Sequence, residues 1–414
     1  MIENNYFCGK QKVFVFASSC YKRHLDVEKL KKYFKKNSWK VVDNPKKADV
    51  IIYNTCALVK AKEDESIEYI RNFKEYKKPK LIVAGCFPGI NEKRLKKYFD
   101  GFILTSSSLN KIDQIFKFNK IKFKDVEDGN IVKRKRIFNK QLLRYYLSFI
   151  LNGEIKIKDL LKDFLKNLLV NKDVYHIRIS EGCLGNCSYC GIRNAIGTLR
   201  SKPLKFCLNE FKEGLKKGYN FFSISADDVG AYGIDIGITL PILLKEIIKI
   251  KGNYLINIQD LNPKWVVEYS EELNEIFKEK KFSRILVPIQ SGSPRILKLM
   301  RRFNDVEKIK ECILEIKKIN PNIKFWTALI IGFPSETEND LSFTFHFVKD
   351  CGFEEVLIIK FSPRPDTLAS KMENQIPEKI KDKRIEKAEK LFKSNKILPL
   401  SSKEADNRLE YWCR

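Results

Sequence analysis

Glu181-Gly182-Cys183-Leu184-Gly185-Asn186-Cys187-Ser188-Tyr189-Cys190 follows one residue after the apolar run Ile177-Arg178-Ile179, and these residues read together decide the fold. The run predicts a β-strand. The Gly- and Asn-rich loop after it carries Cys at C-x3-C-x2-C spacing, so three thiolates can converge on one centre. The same alternation recurs downstream. Phe221-Phe222-Ser223-Ile224, Tyr254-Leu255-Ile256-Asn257, Ile285-Leu286-Val287 and residues 325–331 and 355–360 read as strands, with lysine-rich helices between them. Six such βα units from His176 to about Phe361 predict a parallel sheet curved into a partial (β/α)6 barrel, whose carboxyl-end loops would carry a site.

Upstream, residues 12–116 alternate strand and helix signals on a smaller scale. Val13-Phe14-Val15-Phe16, Val50-Ile51-Ile52-Tyr53, Leu81-Ile82-Val83 and Gly101-Phe102-Ile103-Leu104 are short apolar runs, while 25–36 and 62–76 have helical periodicity with charged faces. This predicts a parallel, flavodoxin/Rossmann-like α/β layer. Cys20, Cys56 and Cys86 each follow one of its strands, at the carboxyl ends where such sheets build their sites. Residues 117–173 break the pattern with the basic run Lys133-Arg134-Lys135-Arg136 and helical stretches at 142–150 and 160–169, a linker and helical insertion. The expected organisation is therefore 1–116, an N-terminal domain; 117–173, the insertion; 174–392, the barrel; and 393–414, a tail of weak signal after one charged helix.

At 414 residues, with 43% hydrophobic and 32% charged positions, the chain is a folded protein of two or three units rather than a disordered one. No apolar run reaches the 18 or more residues that a membrane span needs, and residues 1–11 are polar, so neither a membrane span nor export is expected. A cytoplasmic location follows, and its reducing chemistry speaks against reading eleven Cys, an odd count, as a disulfide framework. Cys8, Cys207, Cys312, Cys351 and Cys413 read as small buried hydrophobes. For the C-x3-C-x2-C loop, soft thiolates favour iron–sulfur or zinc; zinc would want a fourth ligand, and no Cys or His follows at finger-like spacing. A basic nucleic-acid-binding protein with a structural zinc is the rival of a different class. The net charge of +27 has two readings, attraction to nucleic acid or solvated lysine faces, and its even spread along the chain favours the second.

The three-Cys loop, its place after the first barrel strand and the aromatic before the last Cys resemble the radical S-adenosylmethionine (SAM) enzymes. Tyr232-Gly233-Ile234-Asp235, Pro288-Ile289-Gln290-Ser291-Gly292-Ser293, Met300-Arg301-Arg302, Ile331-Gly332-Phe333-Pro334-Ser335-Glu336-Thr337 and Ser362-Pro363-Arg364-Pro365-Asp366-Thr367 extend the resemblance to the methylthiotransferase branch, over roughly residues 12–392. There are departures from its pattern. Tyr21 and Arg23 stand where Gln and Asn are usual, Arg193 where Pro is usual, and Asn257 where a strand Arg is common. The chain also reaches Arg414 without the TRAM domain expected of that branch.

The resemblance implies two [4Fe-4S] clusters and SAM. Cys183, Cys187 and Cys190 would hold the cluster that binds and cleaves SAM, and Cys20, Cys56 and Cys86 a second that carries the sulfur, each with one iron left open for a reactant. Tyr189, Asp227, Asp228, Gln290 and Ser291 are the expected SAM neighbours. An electron donor such as a flavodoxin or ferredoxin is implied. The run from Ser225 to Asp235 is closer to the protein-modifying type, which favours a peptide or protein substrate, for instance a ribosomally synthesised natural-product precursor, ahead of tRNA. The alternatives are a tRNA-adenosine methylthiotransferase and a radical SAM enzyme whose second cluster only relays electrons.

Overall fold

The structure, a computed structural model, describes residues 11–18, 20–132 and 174–401. The basic run at 133–136, the helical stretches at 142–150 and 160–169, Cys8 and Cys413 lie outside the described residues.

The first sheet contains β1 (Lys12–Ala17), β2 (Lys40–Val41), β3 (Val50–Thr55), β4 (Lys80–Gly85) and β5 (Ile103–Thr105), all parallel, in the order β2-β1-β3-β4-β5. Alternation along the strands serves two cores. Val13, Val15, Val50, Ile52 and Ile82 pack with Leu30, Tyr33 and Phe34 of the helix Tyr21–Lys36. Ile51, Tyr53 and Val83 point the other way, to Ile67, Ile70 and Phe73 of the helix Lys60–Lys74. β3 is buried along its whole length, which is why its sequence is a continuous apolar run. The chain order reverses between β1 and β3, the place where doubly wound sheets open a crevice at their carboxyl edge.

The second sheet starts with β6 (Tyr175–Arg178). A short antiparallel pair, β7 (Ser180–Glu181) and β8 (Arg200–Ser201), brackets the three-Cys loop. Then come β9 (Phe221–Ser225), β10 (Leu255–Ile258), β11 (Phe282–Leu286), β12 (Lys324–Ile331), β13 (Glu355–Lys360) and β14 (Leu398–Ser401). The order β14-β13-β12-β11-β10-β9-β6, parallel throughout, is that of a curved, open barrel wall. One core fills it, from Phe222 and Ile224 through Ile256, Ile258 and Ile285 to Leu329 and Val356. The stretch expected to be a tail from 393 is corrected by β14, which pairs with β13 through Leu398 opposite Glu355 and Leu400 opposite Leu357. Its four residues include Pro399, which lacks an N–H and is tolerated on an edge strand; that combination hides the strand from a periodicity reading.

The two sheets meet along an extensive seam. The short helix Cys86–Ile90 packs against the short helix Ile192–Ile196 so closely that a Cβ on Gly89 would lie 2.5 Å from Ala195 Cα. Beside it Glu63, 1% exposed, accepts from Arg364 Nη1 of the barrel at 2.7 Å and from Arg94 Nη1 at 2.6 Å.

Candidate functional site

Cys20, Cys56 and Cys86 occupy the carboxyl edge of the first sheet, two of them at the chain reversal. Cys20 is the N-cap of the 16-residue helix Tyr21–Lys36 and so stands at the start of its first turn. Cys56 follows β3, and its backbone N–H donates to Ser66 Oγ at 3.3 Å while its carbonyl accepts from the same hydroxyl at 2.9 Å. Cys86 opens its short helix directly after β4. Burial pushes the Cys86 thiol up to about 11; Arg23 opposes that rise, and Cys20 and Asp227 add to it. Asn54, fully buried on β3 beside Gly85, has neither side-chain polar atom partnered within the protein.

Cys183, Cys187 and Cys190 form the second group. Cys183 N–H donates to the Gly197 carbonyl, and Cys190 N–H to the Cys187 carbonyl at 3.1 Å, which turns the loop back on itself. Ser188 ties the loop to the barrel: its N–H and hydroxyl donate to the carbonyls of Met300 (3.0 Å) and Leu299 (2.8 Å). Gly185 donates its N–H to Cys183 Sγ at 3.2 Å, and a Cβ there would sit 3.2 Å from Cys183 Sγ and 3.8 Å from Cys187 Sγ. Only glycine leaves that hollow open. Burial raises the Cys183 thiol to about 12 and raises Cys190 as well, and each thiol feels the charge of its neighbours in the group. Deprotonation on metal binding would release those protons.

The five expected SAM neighbours divide. Tyr189 lies at the loop, its buried hydroxyl 3.5 Å from Arg302 Nη1, and the same guanidinium reaches Cys187 Sγ at 3.8 Å. Asp227 Oδ2 accepts the Gly182 N–H at 2.9 Å, and its Oδ1 faces Lys22 Nζ at 3.6 Å. Asp228 is buried; Oδ2 accepts from Trp265 Nε1 at 3.0 Å and Oδ1 has no partner within the protein, while burial pushes its carboxyl upward. Gln290 has positive φ (70°) and an unpartnered Oε1. Ser291 is taken up locally: its hydroxyl lies 3.2 Å from Thr344 Oγ1 and accepts the Ser293 N–H. Four of the five thus keep a polar atom unpartnered or at the Cys loop, and Ser291 is engaged in fold contacts.

Residues not anticipated join the two triplets. Lys22, two residues after Cys20, pairs with Asp260 of the β10 loop at 2.9 Å and faces Asp227. Arg23 pairs with Asp26 at 2.9 Å, and Asp26 also receives Arg178 Nη1 of β6 at 2.7 Å. Asp227 acts on both Cys86 and Cys190, so the triplets share one electrostatic neighbourhood. The Arg23/Asp26 spacing of one helical turn was the available sequence signal; the pairs across the seam had none.

Among the described residues, no three His, Cys, Asp or Glu side chains are gathered tightly enough for a single metal ion. A four-iron cluster puts each thiolate on a separate iron and asks for no such convergence, whereas structural zinc needs four ligands on one ion. The Gly185 hollow at one triplet and the unsatisfied Asn54 amide at the other suit a sulfur-rich group that fills space and accepts hydrogen bonds.

Known proteins give a consistent result. Residues 177–348 match the Radical SAM superfamily model, and residues 12–104 the model described as Uncharacterized protein family UPF0004. The chain is 32% identical over 382 residues to the probable threonylcarbamoyladenosine tRNA methylthiotransferase of Methanocaldococcus jannaschii, covering 92% of this chain and 82% of that one. It is 31% identical to the ribosomal protein uS12 methylthiotransferase RimO of Carboxydothermus hydrogenoformans, covering 91% and 81%. Among solved structures, the radical S-adenosylmethionine methyltransferase TsrM of Kitasatospora setae superposes with a TM-score of 0.60 at 12% identity, over 87% of this chain and 77% of that one, a likeness of fold.

Proposed function

This chain belongs to the radical SAM methylthiotransferase family, and from that premise we propose that it inserts a methylthio group at an unactivated C–H bond of a peptide or protein. The cofactors of the family are SAM and two [4Fe-4S] clusters. Cys183, Cys187 and Cys190 would hold one cluster and Cys20, Cys56 and Cys86 the other; bound there, these groups supply hydrogen abstraction and the methylated sulfur. The observation that carries the reading is the meeting of both triplets at one seam, with the helix opened by Cys86 packed on the helix just after Cys190.

The chain's own residues do the positioning. Three thiolates at each site would leave one iron of a bound cluster free of protein. Arg302 braces Tyr189 and Cys187 from the barrel side, with its Nη2 donating to the Pro288 carbonyl at 2.6 Å. The unpartnered Oδ1 of Asp228 offers an acceptor for an ammonium such as that of SAM. Lys22, between Asp227 and Asp260, ties the mouth of the barrel to the first domain.

A protein substrate is favoured by the rim. Exposed Ile234 and Ile236 sit on a turn tied to β8 by the Ser201 N–H to Asp235 Oδ2 (2.8 Å), and β8 pairs with β7, which leads to the Cys loop and exposed Leu184. Apolar side chains and the carboxylates Asp227, Asp235 and Asp260 suit a peptide better than a phosphate backbone. A tRNA substrate is the second reading, favoured by the relative named for threonylcarbamoyladenosine tRNA and by the net +27 charge. A one-electron donor, such as a flavodoxin or ferredoxin, completes the system. The test is anaerobic reconstitution, then incubation with methyl-labelled SAM and, in parallel, uS12-type protein, candidate peptides and bulk tRNA, read by mass spectrometry. A labelled methylthio group on protein or peptide is expected. Modification of tRNA alone overturns the substrate, and product without label overturns the reaction.

A further inference from the structure

Arg23 stands one helical turn after Cys20, on the side of the first domain where the N-terminal triplet lies. Its guanidinium is 5% exposed and pairs with Asp26 Oδ2 at 2.9 Å; its backbone N–H donates to the Cys20 carbonyl at 3.0 Å. Asp26 in turn receives Arg178, which also meets Glu181 Oε1 at 2.5 Å. Two guanidiniums and two carboxylates therefore form a chain whose Arg23 end lies one helical turn from Cys20, and its charge acts on both Cys86 and Cys20. Asp227 acts on Cys86 with the opposite sign, from beside Lys22. The resemblance leads one to expect a neutral Asn at this position.

A buried charge is poorly screened, and the potential of an iron–sulfur cluster follows the net charge and hydrogen bonds around it. A cluster on three thiolates is anionic, and reduction adds a further negative charge, so a fixed cation beside it favours the reduced form. We propose that Arg23, held by Asp26, is a positioning residue that raises the reduction potential of the [4Fe-4S] cluster on Cys20, Cys56 and Cys86. The inference rests on the reading of that triplet as a cluster site.

The full chain carrying Cys183→Ala, Cys187→Ala and Cys190→Ala isolates the N-terminal cluster for anaerobic potentiometric titration by electron paramagnetic resonance. Arg23→Gln should lower the reduced-to-oxidised ratio at a fixed potential on the order of tenfold, a midpoint shift of about 59 mV for one electron. Arg23→Lys, which keeps the charge, should stay near the parent. Asp26→Asn, which removes a negative charge from the same chain, should move the midpoint the other way. A midpoint unmoved in Arg23→Gln at full iron and sulfide content overturns the inference. So do Arg23→Gln and Asp26→Asn moving it in the same direction, since loosened packing has no reason to follow the sign of the charge. The underlying reading fails by a separate result: iron that persists when Cys20→Ala, Cys56→Ala and Cys86→Ala are added to the chain already lacking Cys183, Cys187 and Cys190.

Discussion

Removing the Glu63 carboxylate, as in Glu63→Ala, should loosen the first domain from the barrel at a cost that its surroundings let one work out. Glu63 is 1% exposed and serves three donors: Arg364 Nη1 at 2.7 Å, Arg94 Nη1 at 2.6 Å and Asn91 Nδ2 at 3.3 Å. Among the described residues Arg364, with a side chain 7% exposed, meets no other carboxylate and keeps the Ala57 and Pro363 carbonyls and the Ser362 hydroxyl. Breaking one side of a buried pair leaves an uncompensated charge and costs about 3–5 kcal/mol. Arg94 adds little, because it is more open to water and retains Asp64, and exposed pairs are worth about 0–1 kcal/mol. The double variant Glu63→Leu with Arg364→Met removes both charges and keeps volume, and should recover most of the loss. Urea unfolding followed by circular dichroism and by the fluorescence of Trp39, Trp265 and Trp326 reads the result. A single variant costing under about 1 kcal/mol, or a double variant no better than the single, would refute the clamp.

Three further outcomes can be checked. Gly185→Ala places a methyl in the hollow between Cys183 and Cys187 and should halve iron and sulfide per chain while leaving the far-ultraviolet dichroism unchanged; full iron content would count against the hollow as a cluster seat. Alanine at all of Cys183, Cys187 and Cys190, or at all of Cys20, Cys56 and Cys86, should each abolish methylthio transfer and remove about half of the iron, and equal loss of all iron in either would deny two independent sites. Asp340 supplies a pH test. Burial pulls its carboxyl up, but Arg295, Ser293 and Thr337 donate to it and hold it at about 2. Its folded value lies below the unfolded one, so its contribution of about 2 kcal/mol is complete above pH 4 and fades as pH falls through 2. Asp340→Asn should lower stability near neutrality and flatten that acid limb; parallel curves for the two proteins would contradict it.

Both sheets were legible because buried parallel strands leave continuous apolar runs, and the place of Cys20, Cys56 and Cys86 at strand ends could be read from those same runs. β14 was not legible: four residues with a proline carry too little periodicity to stand out. The expectation that Cys207, Cys312 and Cys351 are buried agrees with the structure, since small apolar side chains on helix faces have nowhere else to go. Harder was the orientation of polar groups. Ser291 and Gln290 are adjacent, yet one hydroxyl is absorbed by Thr344 while the other side chain keeps an open oxygen, a difference that residue type does not foretell. The Lys22–Asp260 and Arg178–Asp26 pairs join segments distant in sequence, where no spacing rule applies.

The approach of Gly89 to Ala195 has a practical consequence for anyone recombining relatives of this chain. Each half has its own sheet and core, which invites grafting a foreign first domain onto this barrel. Yet with backbone nearly touching backbone there is no compressible spacer: a single methyl in place of hydrogen at position 89 must push the two halves apart. A chimera whose donor domain brings a larger residue there would give two well-folded halves that are out of gauge with each other. The interchangeable unit is therefore a domain together with its mating helix.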